Sequence, residues 1–254
     1  SHACDGVVVE QTAAGLVPQV GGPCAALTDT AGETIDGVSL ERCIRASLEK
    51  IVDDASPTRL RPNIVLVLTD DQRWDTLGYM PATFEKLAGR GLVFQNAFAT
   101  TPICSPSRAS IYSGLRARNH GVQINGQEPL FDASMNVAVA LAEAGYTNGF
   151  FGKYMNGGER FGPFVPPGWD DWQIFLEPAG GSFSEARLNV NGEFRTLEPE
   201  QYSTDFLATQ ANRFIRANVS RPFFLVYAPF APHAPAEPAP RHRGAYGDLP
   251  PHRP

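Results

Sequence analysis

"NIVLVLTDDQ", residues 63–72, carries five consecutive apolar residues and a threonine into the adjacent aspartates Asp70 and Asp71. A β-branched and leucine run without polar alternation reads as a strand covered on both faces, as in a parallel sheet. Two carboxylates at the mouth of such a strand repel each other and lose solvation, so they call for a counter-charge. A hard divalent cation with oxygen ligands would supply it. The plainer alternative is that one aspartate caps the next turn and the other is solvated.

Downstream of this strand, helical and extended patterns alternate. "PATFEKLAGRG" opens with Pro81 and closes with glycine, the asymmetry of a capped helix. "GLVFQNAFAT" (91–100) reads as a second strand, "SPSRASIYSGL" as a helix with Pro106 near its first position, and "NVAVALAEAG" as a helix closed by Gly145. "YTNGFFGKY" is a strand candidate, and "GGERFGPFVPPGWDDW" reads as a long irregular loop. In "STDFLATQANRFIRAN", Phe206, Leu207, Ala211, Phe214 and Ile215 form a helical stripe after a serine cap. "RPFFLVYA" is a strand leading into the proline-rich "PFAPHAPAEPAP". Repeated β-then-α units predict an α/β fold with a mainly parallel sheet flanked by helices. Ligands in such folds gather beyond the carboxyl ends of the strands.

Residues 1–60 differ in character. "DGVVVEQT" reads as a short strand, and "VSLERCIRASLEKIVDD" places Leu40, Ile44, Leu48 and Ile51 on one helical face. "ASPTRLRP" then reads as a linker. The predicted organisation is an appendage over 1–60 followed by one larger domain over 61–254.

The 254 residues are 43% hydrophobic and 19% charged, with 22 prolines and 24 glycines, the profile of a loop-rich globular protein. A net charge of −6 argues against a general nucleic-acid binder. Attraction of an anionic ligand would have to come from local groups. "IVLVL" is far shorter than the roughly 18–20 apolar residues of a membrane span. The chain begins Ser-His without Met and with no visible signal peptide, which reads as a processing site or an excerpt boundary. Cysteines stand at 4, 24, 43 and 104, so a disulfide among the first three would leave one of them over. Asn218-Val-Ser220 is a glycosylation sequon.

"CSPSR" (104–108) is the second decisive stretch. With a helix starting at Pro106, Cys104 lies beside free N–H groups and the positive end of the helix dipole. Helical side chains tilt towards the N-terminus, so Arg108 can reach back to Cys104. That arrangement suits an oxyanion, although an isolated cysteine is commonly structural. Only three residues separate Cys104 and Arg108, whereas the phosphate loop of a thiolate phosphatase needs about five between its nucleophile and arginine.

"CSPSR" followed by "ASIYSGL" resembles the signature of type I sulfatases, in which that cysteine is oxidised to formylglycine. "RPNIVLVLTDDQ" resembles their first metal-binding segment, "FFGKYMNG" the segment with an active-site lysine, and "APHAP" the one with a histidine. "GKYMNG", "VPPGWDDW", "NVNGEFR" and "APFAPHAP" are most similar to the N-acetylglucosamine-6-sulfatase branch. The resemblance covers about residues 61–240. It implies an alkaline-phosphatase-like fold, the N-terminal part of a catalytic domain, and hydrolysis of a sulfate ester on a sugar such as N-acetylglucosamine 6-sulfate in a glycosaminoglycan.

On this resemblance Asp70, Asp71 and Cys104 bind calcium, with magnesium the second choice. Cys104 becomes the formylglycine nucleophile, Arg108 holds its hydroxyl, Lys153 contacts the sulfate, and His233 protonates the leaving alcohol. A hydrated aldehyde has two hydroxyls on one carbon, so one can attack sulfur and the other can later expel the sulfate. Arg108 and Lys153 would stabilise the transferring group, and a histidine titrating near neutrality suits proton transfer. The implied partners are a sulfated carbohydrate and a formylglycine-generating enzyme. The implied compartment is secreted, periplasmic or lysosomal. His120 and Asn125 could line the pocket, and Arg241, His242 and Arg243 form a basic patch that could attract a glycan or remain solvated.

Two departures qualify the match. Many sulfatases place a histidine where this chain has Met155, and Asn156 could partly replace it. The family also completes its metal site with a later Asp-Asn or similar pair, and no such pair occurs before the chain stops. The expectation is therefore weak calcium binding and little hydrolysis by these 254 residues alone. A phosphonate or phosphate monoester hydrolase of the same superfamily, or a non-catalytic glycan binder, are the competing readings.

Overall fold

The computed structural model describes residues 61–94, 96–176, 183–245 and 247. The expected strand, helix and linker of residues 1–60, with Cys4, Cys24 and Cys43, lie outside the described residues. Pro62–Pro254 forms one of two compact units of the chain.

Among the described residues six strands build one sheet: β1 (Ile64–Val67), β2 (Thr147–Gly152), β3 (Asp171–Leu176), β4 (Arg187–Val190), β5 (Glu193–Thr196) and β6 (Phe223–Ala228). Their spatial order is β1-β6-β2-β3-β4-β5. The first three pairings, β1 with β6, β6 with β2 and β2 with β3, are parallel; β4 and β5 add antiparallel. The sheet is thus mainly parallel, with an antiparallel margin at one end. This agrees with the expected α/β fold built on a mainly parallel sheet.

Side-chain alternation along the central strands separates two cores. Phe150, Ile174, Phe224 and Val226 point to one face, with Ala109, Tyr112, Tyr154, Trp169 and Trp172. Phe151, Phe175, Phe223 and Leu225 point to the other, against Leu207, Ala211 and Phe214. The longest helices among the described residues cover the sheet: α1 (Cys104–Ser113), α2 (Val137–Glu143) and α3 (Ser203–Asn218). α2 begins where the Asn136 side chain accepts the Ala138 N–H, a side-chain cap. Among the described residues no helix is long and apolar enough to cross a membrane.

Five readings of the sequence need correction. β1 is covered on one face only: Ile64 and Leu66 pack against the first core, while Val65 and Val67 are exposed. It stands at the sheet margin, where one neighbour and one layer are present. The stretch 91–100 forms no strand among its described residues; Leu92, Phe94 and Phe98 are exposed, because no neighbouring strand supplies a ladder. α1 starts two residues before Pro106, at Cys104. Proline fits the third helical position because the first N–H groups of a helix have no intrahelical acceptor. α3 contains Ser203 as its first residue, after a Tyr202 N-cap that makes no side-chain cap bond.

The predicted loop 157–172 also ends inside a strand, since β3 starts at Asp171. The hairpin β4–β5 turns at Asn191 (φ 52°) and Gly192 (φ 95°). Asn-Gly is the pair that tolerates two positive φ angles, and its twist suits a tight hairpin.

Candidate active site

Asp70 lies just past the carboxyl end of β1, and Lys153 immediately follows β2. These strands are not neighbours; β6 runs between them. Parallel alignment brings all three carboxyl ends to one edge of the sheet. Leu68 N–H donates to Tyr227 O at 3.0 Å, and Lys153 N–H donates to Ala228 O at 2.7 Å. Gly152 makes the second approach possible: at φ 132°, a β-carbon there would stand 1.9 Å from Ala228 O.

Asp70 is the centre of the cluster. Its side chain is 4% exposed; Oδ2 accepts from Lys153 Nζ at 2.6 Å and Oδ1 from Arg108 Nη2 at 3.2 Å. Arg108 Nη1 also donates to Lys153 O at 2.5 Å. The counter-charge expected for a buried carboxylate is therefore supplied by two protein cations from α1 and the end of β2. Burial opposes the Arg108 charge, but Tyr112 and Asp70 more than offset it and hold the guanidinium above its ordinary range.

Asp71 takes a left-handed backbone conformation, φ 55°, and its side chain is 59% exposed. Its Oδ2 lies 3.4 Å from His233 Nε2. His233 Nδ1 lies 2.7 Å from Ala234 O, an atom that only accepts, so Nδ1 carries hydrogen and Nε2 is left to exchange a proton. The imidazole stacks on Phe230 with ring centroids 4.4 Å apart, and Lys153 Nζ lies 5.1 Å from the centroid of the same ring. Phe230 thus aligns the histidine and the lysine from one side.

Cys104 is a half-buried free thiol in the first turn of α1. Its Sγ, an Asp70 carboxylate oxygen and a His233 nitrogen all lie within 4.8 Å of one another, close enough to share a metal ion. The sequence reading did not include His233 among possible ligands. All six predicted site residues therefore stand at one edge of the sheet, with Asp71 attached through His233.

The secondary candidates have other surroundings. His120 is buried, with Nε2 3.0 Å from Ser110 Oγ and Nδ1 accepting the Val122 N–H. It packs edge-on to Phe131 behind α1, and burial lowers its pKa. Asn125 Oδ1 accepts the Ser105 N–H at 3.0 Å and so caps the start of α1. Met155 is a core residue, 1% exposed. Arg241 pairs through both guanidinium nitrogens with Asp205 and borders an open groove of about 530 Å³ over α3, shared with Arg195, Tyr202 and Arg213.

A family model for sulfatases matches residues 62–251. The chain belongs to the sulfatase family. It is 33% identical over 205 residues to an extracellular sulfatase SULF-1 homolog of Drosophila melanogaster, covering 75% of this chain and 18% of the relative. It is likewise 33% identical over 220 residues to human N-acetylglucosamine-6-sulfatase, covering 77% of this chain and 38% of that protein. The chain therefore spans less than two fifths of the length of either relative.

A solved structure of a protein in complex with its substrate, D-glucosamine-2-N,6-O-disulfate, superposes with a TM-score of 0.61 at 24% identity. It covers 75% of this chain, which spans 38% of that one. The phosphonate monoester hydrolase of Agrobacterium radiobacter superposes at 0.51 with 26% identity, over 72% of this chain and 44% of its own.

Proposed function

We propose that residues 61–254 are the nucleophile-bearing part of a sulfatase catalytic domain that removes sulfate from a sulfated sugar, with N-acetylglucosamine 6-sulfate in a glycosaminoglycan as the substrate. The observation that carries this reading is the meeting of Cys104, Asp70 and His233 within 4.8 Å, with Arg108 and Lys153 both bonded to Asp70. In this reading residues 1–60 are an appendage, Cys104 is converted to formylglycine by a maturation enzyme, and the protein works in an extracellular, periplasmic or lysosomal compartment. The extracellular relative and the sugar-disulfate complex support the compartment and the substrate class.

The donor chemistry fits a hard cation. Asp70 and Asp71 offer carboxylate oxygens, and Cys104 offers an oxygen once converted, so these three would hold calcium, with magnesium the second choice. When bound, such an ion lowers the pKa of a coordinated hydroxyl and neutralises charge on sulfate oxygens. Three protein groups are fewer than the roughly 6–8 oxygens calcium takes, so these residues alone bind it weakly and turn over slowly.

The chain's own residues account for the remaining steps. Arg108 Nη2 and Lys153 Nζ both bond Asp70, and Arg108 Nη1 bonds Lys153 O, a fixed positive cluster for a sulfuryl group whose charge grows in the transition state. Asp70 holds both cations in place, so little reorganisation is needed as that charge develops. His233 Nε2, oriented through Nδ1 and the Phe230 ring, gives its proton to the departing sugar oxygen.

Mass spectrometry of the tryptic peptide containing Cys104 tests this reading. Protein made with a maturation enzyme should carry aldehyde in place of thiol, and an unmodified cysteine there removes the mechanism and favours a glycan-binding role. The phosphonate monoester hydrolase likeness supports one second reading. Paired assays on aryl sulfate and aryl phosphonate separate the two, with faster sulfate hydrolysis expected.

A further inference from the structure

We infer that Ser105 and Glu128 are positioning residues for Cys104: Glu128 sets the orientation of the first turn of α1 from outside the helix, through Ser105 within that turn. Ile103 at the N-cap makes no side-chain cap bond, so the helix start is not held by a side chain at its cap. Ser105 holds it by three other contacts. Its N–H donates to Asn125 Oδ1 at 3.0 Å, its Oγ donates to Glu128 Oε1 at 2.6 Å, and the same Oγ accepts the Asn156 N–H at 3.0 Å.

One buried hydroxyl thereby joins the turn carrying Cys104, the loop 125–128, and the chain three residues past Lys153. Ser105 is 0% and Glu128 3% exposed. Glu128 Oε1 also accepts the Gly126 N–H at 2.9 Å, so this carboxylate fixes its own loop as well as the serine. Burial opposes the Glu128 charge, and the bonds from Ser105 and Gly126 offset this and hold its carboxyl below the ordinary range. A hydrogen bond to an ionised acceptor is short and strong, as this one is.

Neither residue is placed at the reacting atoms, and neither has a role in the chemistry above. Their effect passes through geometry. Ser105 is the residue next to Cys104 on a rigid turn, so tying its side chain sets the direction in which the Cys104 side chain leaves the helix. The contact with Asn156 ties that direction to the segment that runs on from Lys153. Nucleophile and cation are then held in register by one buried contact, and displacements of about 1 Å in such a pair are costly to catalysis.

The importance of Cys104 orientation rests on the proposed sulfatase function; the test does not. Protein made without a maturation enzyme keeps the Cys104 thiol, and its native-state alkylation by iodoacetamide is followed by peptide mass spectrometry, with thermal midpoints measured in parallel. Ser105→Ala and Glu128→Ala are expected to speed alkylation of Cys104 about tenfold, the factor for one lost charge-assisted hydrogen bond. Glu128→Gln keeps an acceptor oxygen and is expected to stay within about twofold of the parent.

If either alanine variant fails to fold, Asn125→Ala against Asn125→Asp applies the same comparison to the Ser105 N–H. The proposal is overturned if the folded alanine variants alkylate at the parental rate, or if the rise equals the increase in unfolded fraction calculated from the midpoint. It is equally overturned if Glu128→Gln behaves like Glu128→Ala. An absence of formylglycine in matured protein would count against the function alone and leave this result standing.

Discussion

Asp70 Oδ2 accepts a hydrogen bond from Lys153 Nζ at 2.6 Å, although 83 positions separate the two residues in the chain. The contact exists because β1 and β2 both run parallel to β6 and end at the same edge. It converts an unfavourable burial of two charges into a paired one, with Arg108 as the third member.

Removing the shared carboxylate should cost more than removing one cation. Asp70→Ala leaves two buried cations without an anion, and about 3–5 kcal/mol of stability should be lost. Lys153→Met leaves Asp70 paired with Arg108, and a loss nearer about 1–3 kcal/mol is expected. Urea unfolding of the three proteins measures both; equal losses would contradict the pairing described.

Gly152→Ala tests the close approach of β2 and β6. The added β-carbon would meet Ala228 O at 1.9 Å, in a backbone conformation with φ 132° that side chains rarely adopt. Neither atom is at the end of a flexible side chain, so a loss above about 4 kcal/mol or failure to fold is expected. Soluble yield and thermal midpoint are the measurements.

Alkaline pH should destabilise the fold through buried tyrosines. Burial, with Asp205 and Tyr202 nearby, pushes the Tyr227 phenol up to about 12, while its hydroxyl donates to Thr204 O. The unfolded phenol ionises near about 10, so the native state retains its proton where the unfolded state releases it. This contribution is complete below about pH 10 and is lost as pH rises towards about 12. Tyr227→Phe should flatten the fall of the thermal midpoint across that window; an unchanged slope would place the effect on other groups.

His233→Ala should separate substrates by their leaving groups. A sugar alkoxide needs a proton as it departs, and in the proposed mechanism loss of His233 should slow its release about 10²–10⁴-fold. A nitrophenyl leaving group departs as an anion and should be affected far less. Single-turnover rates of matured protein on both esters give the ratio, and equal slowing would assign His233 another role.

Local patterns made much of this legible. The apolar run of β1, the amphipathic stripe of α3, and the Gly-closed helices α1 and α2 depend on residues close in sequence, and periodicity reports them directly. The hairpin β4–β5 also had a local signal, Asn191-Gly192, that an alternation-only reading passes over. The exposed face of β1 had none, because its hydrophobic run would suit a central strand equally well. Which strands flank it depends on residues some 160 positions away, around Phe224 and Val226.

The same division holds for the site. The motifs "TDDQ", "CSPSR", "GKYMNG" and "APHAP" carry the resemblance to the sulfatase family, since residue types and order are properties of the chain itself. Their geometry is not. That Asp70 is buried against two cations while Asp71 is exposed beside His233 depends on three strands ending at a common edge. That Ser105 carries the contacts holding Cys104 follows from a carboxylate 23 positions away. Burial and pairing are set by neighbours brought together in folding, and it is burial and pairing that make ordinary aspartate, lysine and serine residues act as one site.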